Sequence, residues 1–317
     1  MVESYASGTA VPPQRLRELM KKSDLRGAIQ LASHLLAIVA SGWLLWLTWG
    51  TWWGVPVFAV HGLVINYLYA AQHEASHDTV FRPRWMNEWL GRFTGFVLLY
   101  PRDYDRWQHL THHRNTQDPE KDPELLGRGL GRGLVGYLLG LVGVSLWYGL
   151  AKTMIIHVLG TAPANASEYY LTDKQKTAVI AEARWHLAGY ALIAVLSFVF
   201  QTWAAVVLWV LPTVAMVWAH QLQNYIEHTG LPLGGKDIWS NTRTVDTNGF
   251  MGWLAWQMIY HAAHHTYPGV PFHRLKDLND EIVAVRGRPS PSDGYLAFQA
   301  KALAGLARGT KDADAYV

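Results

Sequence analysis

Charge is distributed unevenly along the chain and separates two long apolar stretches from polar segments. Residues 27–73 and residues 185–226 contain no Lys, Arg, Asp or Glu. A helix needs about 20 apolar residues to cross a bilayer, so each stretch is long enough for two crossings. The breaks are expected at residues 48–56, where Gly, Pro and three Trp occur, and at residues 200–204. The pattern predicts an all-α integral membrane protein with about four transmembrane helices in two hairpins.

The basic residues lie mostly outside the apolar stretches and indicate an orientation. The breaks within the stretches carry none, whereas the N-terminal and central polar segments hold Arg15, Arg17, Lys21, Lys22, Arg26, Arg82, Arg84, Arg92, Arg102 and Arg106. Positive residues favour the cytoplasmic side, so we expect both segments and the C-terminal region there. The predicted organisation is a cytoplasmic N-terminal segment (1–26), a membrane-embedded domain (27–285) and a C-terminal tail (286–317). The first 26 residues lack the apolar core of a signal peptide.

Composition supports the membrane assignment and narrows the chemistry. Hydrophobic residues make up 50% of the chain and charged residues 16%, with 16 Trp and 15 Tyr, a balance typical of membrane proteins with aromatic interfaces. The net charge of +3 gives a nucleic-acid partner no support. Because there is no Cys, disulfides, thiolate metal sites and built-in iron–sulfur or rubredoxin modules are excluded.

Histidines form the strongest local pattern. The spacing HxxHH occurs twice, as His109, His112 and His113 and again as His261, His264 and His265. With 15 His in 317 residues, composition alone predicts only about 0.03 copies of such a pattern. Residues three and four apart share one face of a helix, so each copy presents its imidazoles in one direction.

Further histidines follow the same rule at the ends of the predicted spans. His73 and His77 are four apart where the second span ends, and His220, Asn224 and His228 repeat every four residues at the end of the fourth. Neutral imidazole is a strong ligand for first-row transition metals. Nine converging histidines exceed what one ion can bind, so the sequence predicts two metal ions held by a cytoplasmic helical cap.

A third apolar stretch, residues 133–151, has 19 residues without charge and five Gly. If it crossed the membrane once, the early and late histidines would lie on opposite faces. We therefore expect an interfacial or re-entrant helix. Residues 131–136, GRGLVG, also match GxGxxG, but no predicted strand precedes them and no acidic residue follows before Glu168. Helix packing is the preferred interpretation over dinucleotide binding.

Three alternatives explain part of the pattern. HEASH, residues 73–77, matches the HExxH motif of zinc proteases, with Glu74 as general base, but this leaves both HxxHH copies unexplained. A haem-binding bundle would need histidines that face each other within the spans, for which His34 and His61 are candidates. A purely structural role would leave packed imidazoles without partners.

The four segments HEASH, HLTHH, NYIEH and HAAHH, in this order around two apolar hairpins, resemble the membrane-bound fatty acid desaturase superfamily. That superfamily includes acyl desaturases, lipid hydroxylases, carotenoid oxygenases and alkane monooxygenases. The resemblance runs from about Leu44 to Leu278 and includes HHRNTQDPEKDPE and HHTYPGVPFHRL. NYIEHTGL resembles the corresponding stretch of alkane monooxygenases, so desaturation and hydroxylation both stay open.

The resemblance implies two iron ions and O2 as co-substrate. The implied ligands are His73, His77, His109, His112, His113, His228, His261, His264 and His265, with Asn224 near one iron. His220 has no counterpart in the desaturase pattern. A fatty acyl or lipid desaturase is the main expectation, and a hydroxylase or monooxygenase of an alkane, lipid or small amphiphile is the alternative.

Other residues are expected to support this site. The acids Glu74, Asp118, Asp122 and Glu227 are close in sequence to the ligands and are expected to orient imidazole N–H groups, although Asp118 and Asp122 are equally compatible with loop capping. A lipid or hydrocarbon would lie in an apolar tunnel, for which the candidate lining residues are Trp85, Trp89, Trp107, Trp253 and Trp256; interfacial anchoring is their alternative role. Electrons would come from a separate ferredoxin-, rubredoxin- or cytochrome-type carrier with its reductase. An acidic carrier would suit the basic cytoplasmic face.

Overall fold

The computed structural model describes residues 11–126, 133–234 and 237–308, and this part of the chain is almost entirely helical. The helices of the first half are α1 (Pro13–Leu19), α2 (Asp24–Thr48), α3 (Gly54–Tyr67), α4 (Tyr69–Ser76), α5 (Arg84–Val97), α6 (Arg102–Asn115) and α7 (Pro123–Leu126). Those of the second half are α8 (Gly133–Leu141), α9 (Val144–Val158), α10 (Asp173–Val199), α11 (Leu211–Ala215), α12 (Trp218–His228), α13 (Ile238–Asn241), α14 (Gly249–Leu254), α15 (His261–Thr266), α16 (Leu275–Arg286) and α17 (Tyr295–Arg308). Two dipeptide strands, β1 (Thr244–Val245) and β2 (Ser292–Asp293), pair in parallel.

Four helical stretches are long and apolar enough to cross a bilayer, and they confirm the two predicted hairpins. They are Asp24–Thr48, Gly54–Ser76, Asp173–Val199 and Val206–His228. Side chains cap the two hairpins where they begin. The Ser23 hydroxyl accepts from the Arg26 N–H at the start of α2, and Thr172 with Gln175 forms a capping box at the start of α10. The chain is a membrane protein.

The fourth span contains Pro212 within α11, after a π-helical stretch, Val206–Val210, and a histidine of the second span bonds to a carbonyl in that stretch. Pro212 has no N–H, so the Leu208 carbonyl one turn earlier lacks its helical donor. His61 Nε2 lies 2.8 Å from that oxygen, and Ser41 Oγ lies 2.8 Å from His61 Nδ1. With the hydrogen on Nε2, His61 donates to Leu208 and accepts from Ser41. Both ring nitrogens of His61 therefore have structural partners.

His34 is held in the same way between helices. Its Nε2 donates to the Val64 carbonyl at 2.8 Å, and its Nδ1 accepts from Trp256 Nε1 at 3.0 Å. His34 thus ties α2 both to α3 and to the cap. The haem alternative needed His34 and His61 to face a common ligand, and their engagement in these hydrogen bonds removes its basis.

The third apolar stretch forms two helices, α8 and α9, that meet at an angle of 70°. Gly143 lies at the bend with φ +80°, and a Cβ there would come within 2.2 Å of Val217. The positive φ and the close contact with Val217 both require glycine at this position. A straight crossing is absent from this described pair, but a bent pair can be a broken span or a re-entrant loop, so the expected return to one side stays a prediction. Residues 131–132 of the GxGxxG match lie outside the described residues.

The helix α5 lies beside the spans and carries an exposed apolar stripe. Trp85, Trp89 and Phe93, four residues apart, are 63%, 66% and 47% exposed, whereas Gly91 and Gly95 face α6 so closely that a Cβ at Gly95 would be 2.8 Å from a backbone oxygen. A helix that is buried on one face and shows large aromatic groups on the other is typical of an interfacial helix.

One buried core joins the spans to the cap. Its largest fully buried aromatic side chains are Trp239, Trp256, Tyr137, Tyr267 and Phe298. Leu16 and Leu19 of α1 pack into it, as do Ala302 and Leu306 of α17. The described parts of the predicted N-terminal segment and C-terminal tail thus pack on the same core, while the boundaries at residues 26 and 285 stay predictions.

Candidate metal centre

All nine predicted histidines converge at the cap-side ends of the second and fourth spans. His73 and His77 end the second span, and His228 ends the fourth. The two HxxHH copies lie on α6 and α15, which bring their histidines to the same place. Helical spacing is the local reason for the convergence, because residues three and four apart project from one face.

The histidines divide into two groups. The first contains five residues whose candidate ligand atoms lie within 4.8 Å of one another: His73, His77, His109, His113 and His264. The second contains His112, His228 and His265 by the same criterion. His261 joins the second group, since its Nε2 lies 3.2 Å from His228 Nε2 and 3.0 Å from His265 Nε2.

The spacing of the nitrogens fits metal coordination. His77 Nε2 lies 2.8 Å from His109 Nε2, which is 2.9 Å from His113 Nε2, which in turn is 3.2 Å from His264 Nε2. Two imidazoles bound at right angles to one ion, each at about 2.1 Å, have nitrogens about 3.0 Å apart. The Nε2 atoms are thus spaced as neighbouring ligands of a single ion.

The histidines of the first group are also in the protonation state that metal ligands require. Burial lowers the pKa of His77, His113 and His264 well below the ordinary value, and the neighbouring imidazoles lower it further. The rings are therefore neutral at physiological pH, which is the form that binds metal. His73 is buried with both ring nitrogens lacking a hydrogen-bond partner among the described residues. A bound ion would supply the missing partner, so the residues fit a metal in each group.

A carboxylate orients one ligand as expected. Asp122, which is fully buried, lies 2.9–3.0 Å from His112 Nδ1 and accepts from the backbone N–H groups of Gln117 and Glu124. Holding Nδ1–H in this way directs Nε2 of His112 toward His228 of the second group, whose Nε2 is 3.3 Å away. Both roles considered for Asp122, loop capping and imidazole orientation, are filled together.

Two of the expected acids do something else. Asp118 accepts from the backbone N–H of Glu120 at 2.9 Å and organises the loop. Glu74 accepts from Thr79 Oγ1 at 2.6 Å and from the backbone N–H of Phe272 at 3.2 Å, which ties α4 to the segment after α15. The expectation that Glu74 and Asp118 orient imidazoles is therefore wrong.

Glu227, one of the expected acids, and Glu124, which the sequence did not indicate, both approach the histidines. Glu227 Oε2 lies 3.4 Å from His261 Nε2, the nitrogen on the metal side of that ring. Glu124 lies 3.7 Å from Nδ1 of both His109 and His112. Burial raises the pKa of Glu124, but the adjacent His112 and His109 outweigh it and hold the pKa well below its usual range. Glu124 is a half-buried anion beside both groups.

Two further imidazoles, those of His265 and His228, are oriented by uncharged groups that no local motif marks. Thr116 Oγ1 lies 3.1 Å from His265 Nδ1, and the Asn241 carbonyl lies 3.3 Å from His228 Nδ1. Thr116 is 149 residues away from His265 in sequence. Such pairs come together only through the packing of helices that are distant in sequence.

A cavity of about 220 Å³ opens beside both histidine groups. Its wall combines ligand candidates with apolar side chains: His73, His109, His112, His228, His261, Leu98, Leu146, Leu150, Val217 and Met258. Asn224 and His220 also lie on this wall. Asn224 Nδ2 donates to Gln221 Oε1 at 3.3 Å, and His220 packs on Tyr69 with ring centroids 4.1 Å apart. The ligand role of Asn224 stays a prediction.

The tryptophans expected to line a tunnel lie elsewhere. Trp85 and Trp89 are exposed on α5, and Trp253 and Trp256 donate to Ser33 and His34 between α2 and the cap. Trp107 is likewise absent from this wall, where Trp147 of α9 takes the role instead. The expectation is wrong because aromatic content marks interfaces and cores as readily as cavities.

The zinc-protease alternative finds no support in this geometry. Five histidines surround the first position where HExxH would supply two, and all three histidines of α6 take part. Glu74 is turned toward Thr79 and Phe272 and is not on the cavity wall. A general base must reach the water that it activates.

Comparisons with known proteins agree with the geometry. A family model described as fatty acid desaturase matches residues 50–292. The sn-1 oleoyl-lipid 12-desaturase of Picosynechococcus sp. is 23% identical over 237 residues, 70% of this chain and 67% of that protein. The sn-1 acyl-lipid omega-3 desaturase (ferredoxin) of Synechocystis sp. is 21% identical over 260 residues, 75% and 69% of the two chains. An endoplasmic-reticulum acyl-lipid omega-3 desaturase (cytochrome b5) of Arabidopsis thaliana is 24% identical over 291 residues, 84% and 73%.

Proposed function

Because the chain belongs to the fatty acid desaturase family and is therefore an oxidoreductase, we propose that it is a di-iron, O2-dependent desaturase of a membrane lipid. The observation that carries the proposal is the pair of histidine groups beside one partly apolar cavity. The nine histidines supply the ligands for two ions, and the cavity supplies a place for a hydrocarbon chain against them.

The chain's own residues set the conditions for that chemistry. Iron in the two groups would activate O2 and oxidise the hydrocarbon. His73, His77, His109, His113 and His264 would hold one ion, and His112, His228, His261 and His265 the other. Glu227 is placed to complete the second group, with Asn224 close by on the same helix. Burial keeps water from the ligands, and Asp122 keeps His112 aimed at the ion.

The cavity wall favours an apolar substrate segment next to the metal ions. Leu98, Leu146, Leu150, Val217 and Met258 would contact methylene groups without hydrogen bonds. The bent pair of α8 and α9 supplies two of these residues, so the bend shapes the space in which the hydrocarbon lies. A hydroxylase or monooxygenase with the same metal site is the second candidate, because NYIEHTGL resembles alkane monooxygenases.

Electrons are proposed to come from a separate acidic carrier. Two relatives carry ferredoxin or cytochrome b5 in their names, and this chain has no Cys with which to bind an iron–sulfur cluster. His77 is the one residue of the first group that is not fully buried. The adjacent Asp78 pairs with the buried Arg106 at 3.0 Å, and the exposed Arg84 lies 4.0 Å from the same carboxylate. The surface around His77 and Arg84, with Arg106 beside them, is the proposed docking face.

Lipid mass spectrometry of cells with and without the protein tests the reaction. We expect lipids that have lost two hydrogen atoms from one chain, and no such lipids in cells that express a His264→Ala variant at equal level. Gain of one oxygen atom without loss of hydrogen would replace desaturation with hydroxylation. Unchanged lipids in several different expression hosts would contradict both desaturation and hydroxylation.

A further inference from the structure

A row of tyrosine rings leads away from the first histidine group. The Tyr69 ring centroid lies 6.4 Å from that of His73 and 5.9 Å from that of Tyr100, which is 6.0 Å from that of Tyr104. Tyr69 and Tyr100 line the cavity beside the metal centre. Tyr100 and Tyr104 line a second cavity, of about 460 Å³, whose wall includes residues of α6 and α9. The row therefore connects the two cavities.

The inner tyrosine has a base within reach of its proton. The Tyr69 hydroxyl donates to Asp105 Oδ1 at 3.0 Å, and Gln72 Nε2 donates to the other oxygen at 2.9 Å. Asp105 is only 2% exposed. Burial raises the pKa of Asp105 to about 7, against the opposing effect of the donors Gln72 and Tyr69. A carboxylate of that basicity can take up a proton near neutral pH, which the ordinary Asp side chain does poorly.

A desaturase needs such a route when its substrate is missing. An oxidant made beside an empty cavity would attack what lies nearest, which here is Tyr69 and the histidine ligands themselves. Resting on the proposed function, we propose that Tyr69, Tyr100 and Tyr104 conduct an oxidising equivalent from the metal centre to the second cavity, where a soluble reductant quenches it. The row would protect the ligands from self-oxidation.

The transfers balance step by step. Tyr69 gives one electron to the oxidised centre and its proton to Asp105. Tyr100 then reduces the Tyr69 radical, which recovers the proton from Asp105, while Tyr100 releases its own proton to solvent. Tyr104 reduces Tyr100 in the same way, and an ascorbate-type donor returns a hydrogen atom to Tyr104. All three phenols are restored, and one electron has passed from the donor to the centre.

The tyrosine row is suited to removing oxidising equivalents from the metal centre and is not suited to supplying electrons for the desaturation reaction. A phenol yields an electron only to a strong oxidant, so a ferredoxin- or cytochrome-type donor gains nothing by passing its electrons through phenols. The proposed docking face at His77 and Arg106 lies on a different part of the first group. The two electron paths are therefore separable by mutation.

An experiment on iron-free protein tests directly whether the tyrosine row conducts an oxidising equivalent. The chain has no Cys, so Ala166→Cys, exposed on the wall of the second cavity, can carry a ruthenium photo-oxidant as the only label. After a flash, we expect rapid reduction of the oxidised label together with a tyrosyl radical absorbance. Adding Tyr104→Phe should remove the fast phase. Tyr148→Phe, which changes another tyrosine of the same cavity, should keep it. A fast phase that survives Tyr104→Phe would overturn the row.

The transfer to Tyr69, at the inner end of the tyrosine row, is tested in the same labelled protein. Asp105 stabilises a radical on Tyr69 by holding its proton, so Tyr69→Phe and Asp105→Asn should each shorten the life of the radical without slowing the first step. Equal radical lifetimes in all three proteins would show that the equivalent never reaches Tyr69 and would contradict the proposal.

The protective role is tested with iron-loaded protein exposed to O2 and reductant without lipid. Peptide mass spectrometry should find more oxidised His109, His113 and His264 in Tyr104→Phe than in the native or Tyr148→Phe proteins, and ascorbate should protect only the latter two. Equal damage in all three would overturn the role. If iron-loaded native protein forms no oxidant at all, the proposed function fails, and the flash experiment alone then decides whether the row conducts.

Discussion

Imidazoles at this centre are aimed by partners on the ring nitrogen that faces away from the ion. Asp122 holds His112, and Thr116 holds His265. A ring fixed at Nδ1 keeps its Nε2 directed at one point, which lowers the cost of assembling a site from four segments. The strength of the metal site therefore depends on residues that do not bind the metal.

Removing one ligand should empty the centre of much of its metal. His264→Ala deletes an imidazole whose Nε2 lies 3.2 Å from His113 Nε2 in the first group. We expect the purified variant to lose most of its activity and much of its iron, as measured by elemental analysis per chain. His273→Ala, a half-buried histidine outside both groups, is the control and should retain the native iron content. Native iron in His264→Ala would remove this residue from the ligand set.

Loss of the orienting carboxylate should have a smaller effect. Asp122→Asn keeps the shape of the side chain but removes the charge that holds His112 Nδ1. Such losses typically cost about 10- to 100-fold in metal affinity or activity. Asp118→Asn, in the same loop but bonded to the Glu120 backbone, should stay close to native. Iron affinity measured by competition with a chelator distinguishes the two, and equal affinities would contradict the assigned role of Asp122.

Among individual residues, those that are brought together by local helical spacing could be predicted from the sequence. Spacings of three and four placed the histidines of each HxxHH on one helical face, and the structure brings all nine together. The roles of Glu124 and Thr116 could not be predicted. The first depends on the turn of the loop after α6, and the second on a contact across 149 residues. For Glu74, closeness in sequence to His73 was misleading because its side chain turns toward Thr79.

Among the helices, the fourth span, which contains Pro212, receives one hydrogen bond from the second span. Pro212 leaves the Leu208 carbonyl without its helical donor, and His61 Nε2 supplies one at 2.8 Å. Within a span there is no water to take that place. His61 is thus part of the scaffold that positions α12 and its last residue, His228.

Replacing this donor should weaken the scaffold without removing a metal ligand. His61→Ala leaves the Leu208 carbonyl unsatisfied, which costs about 1–3 kcal/mol. We expect a lower unfolding temperature in detergent and iron per chain close to native in protein prepared at low temperature. His273→Ala, outside the spans, again serves as the control. A loss of iron as large as that of His264→Ala would show that His61 belongs to the centre.

For the helices, the absence of charge predicted the four spans, because a long run without charge is compatible with few other structures. The bend between α8 and α9 could not be predicted. An uncharged, glycine-rich stretch has the same composition whether it crosses or turns back, and the decisive contact, between Gly143 and Val217, joins distant segments. The exposed stripe of α5 was visible as Trp85, Trp89 and Phe93 four apart, but its role depended on which face packs against α6.

Across the whole molecule, the histidine groups require that the chain return to one side of the membrane before α15. Two complete hairpins do this, provided that α8 and α9 together do not cross. Because positive residues favour the cytoplasmic side, we expect that side to be the cytoplasm. The described ends of the chain, α1 and α17, pack on the core of the cap, so they are expected on the same side.

Cysteine labelling tests this arrangement in a chain without natural Cys. We expect Lys21→Cys, Glu120→Cys and Lys276→Cys, all at exposed positions, to resist a membrane-impermeant reagent in intact cells and to react after the membrane is opened. Trp52→Cys, exposed in the turn between α2 and α3, is the positive control and should react from outside. Labelling of Lys276→Cys but not Glu120→Cys in intact cells would mean that α8 and α9 cross.

The most direct test of the account is an iron titration of the purified, metal-free protein with lipid, O2 and a reducing carrier. The product is counted as new double bonds per chain and set against iron bound per chain. We predict that turnover rises with iron, reaches its plateau at two irons per chain, and stops when either O2 or the reductant is withheld. A plateau at one ion, equal turnover with zinc, or turnover without O2 would contradict a di-iron desaturase built on these two histidine groups.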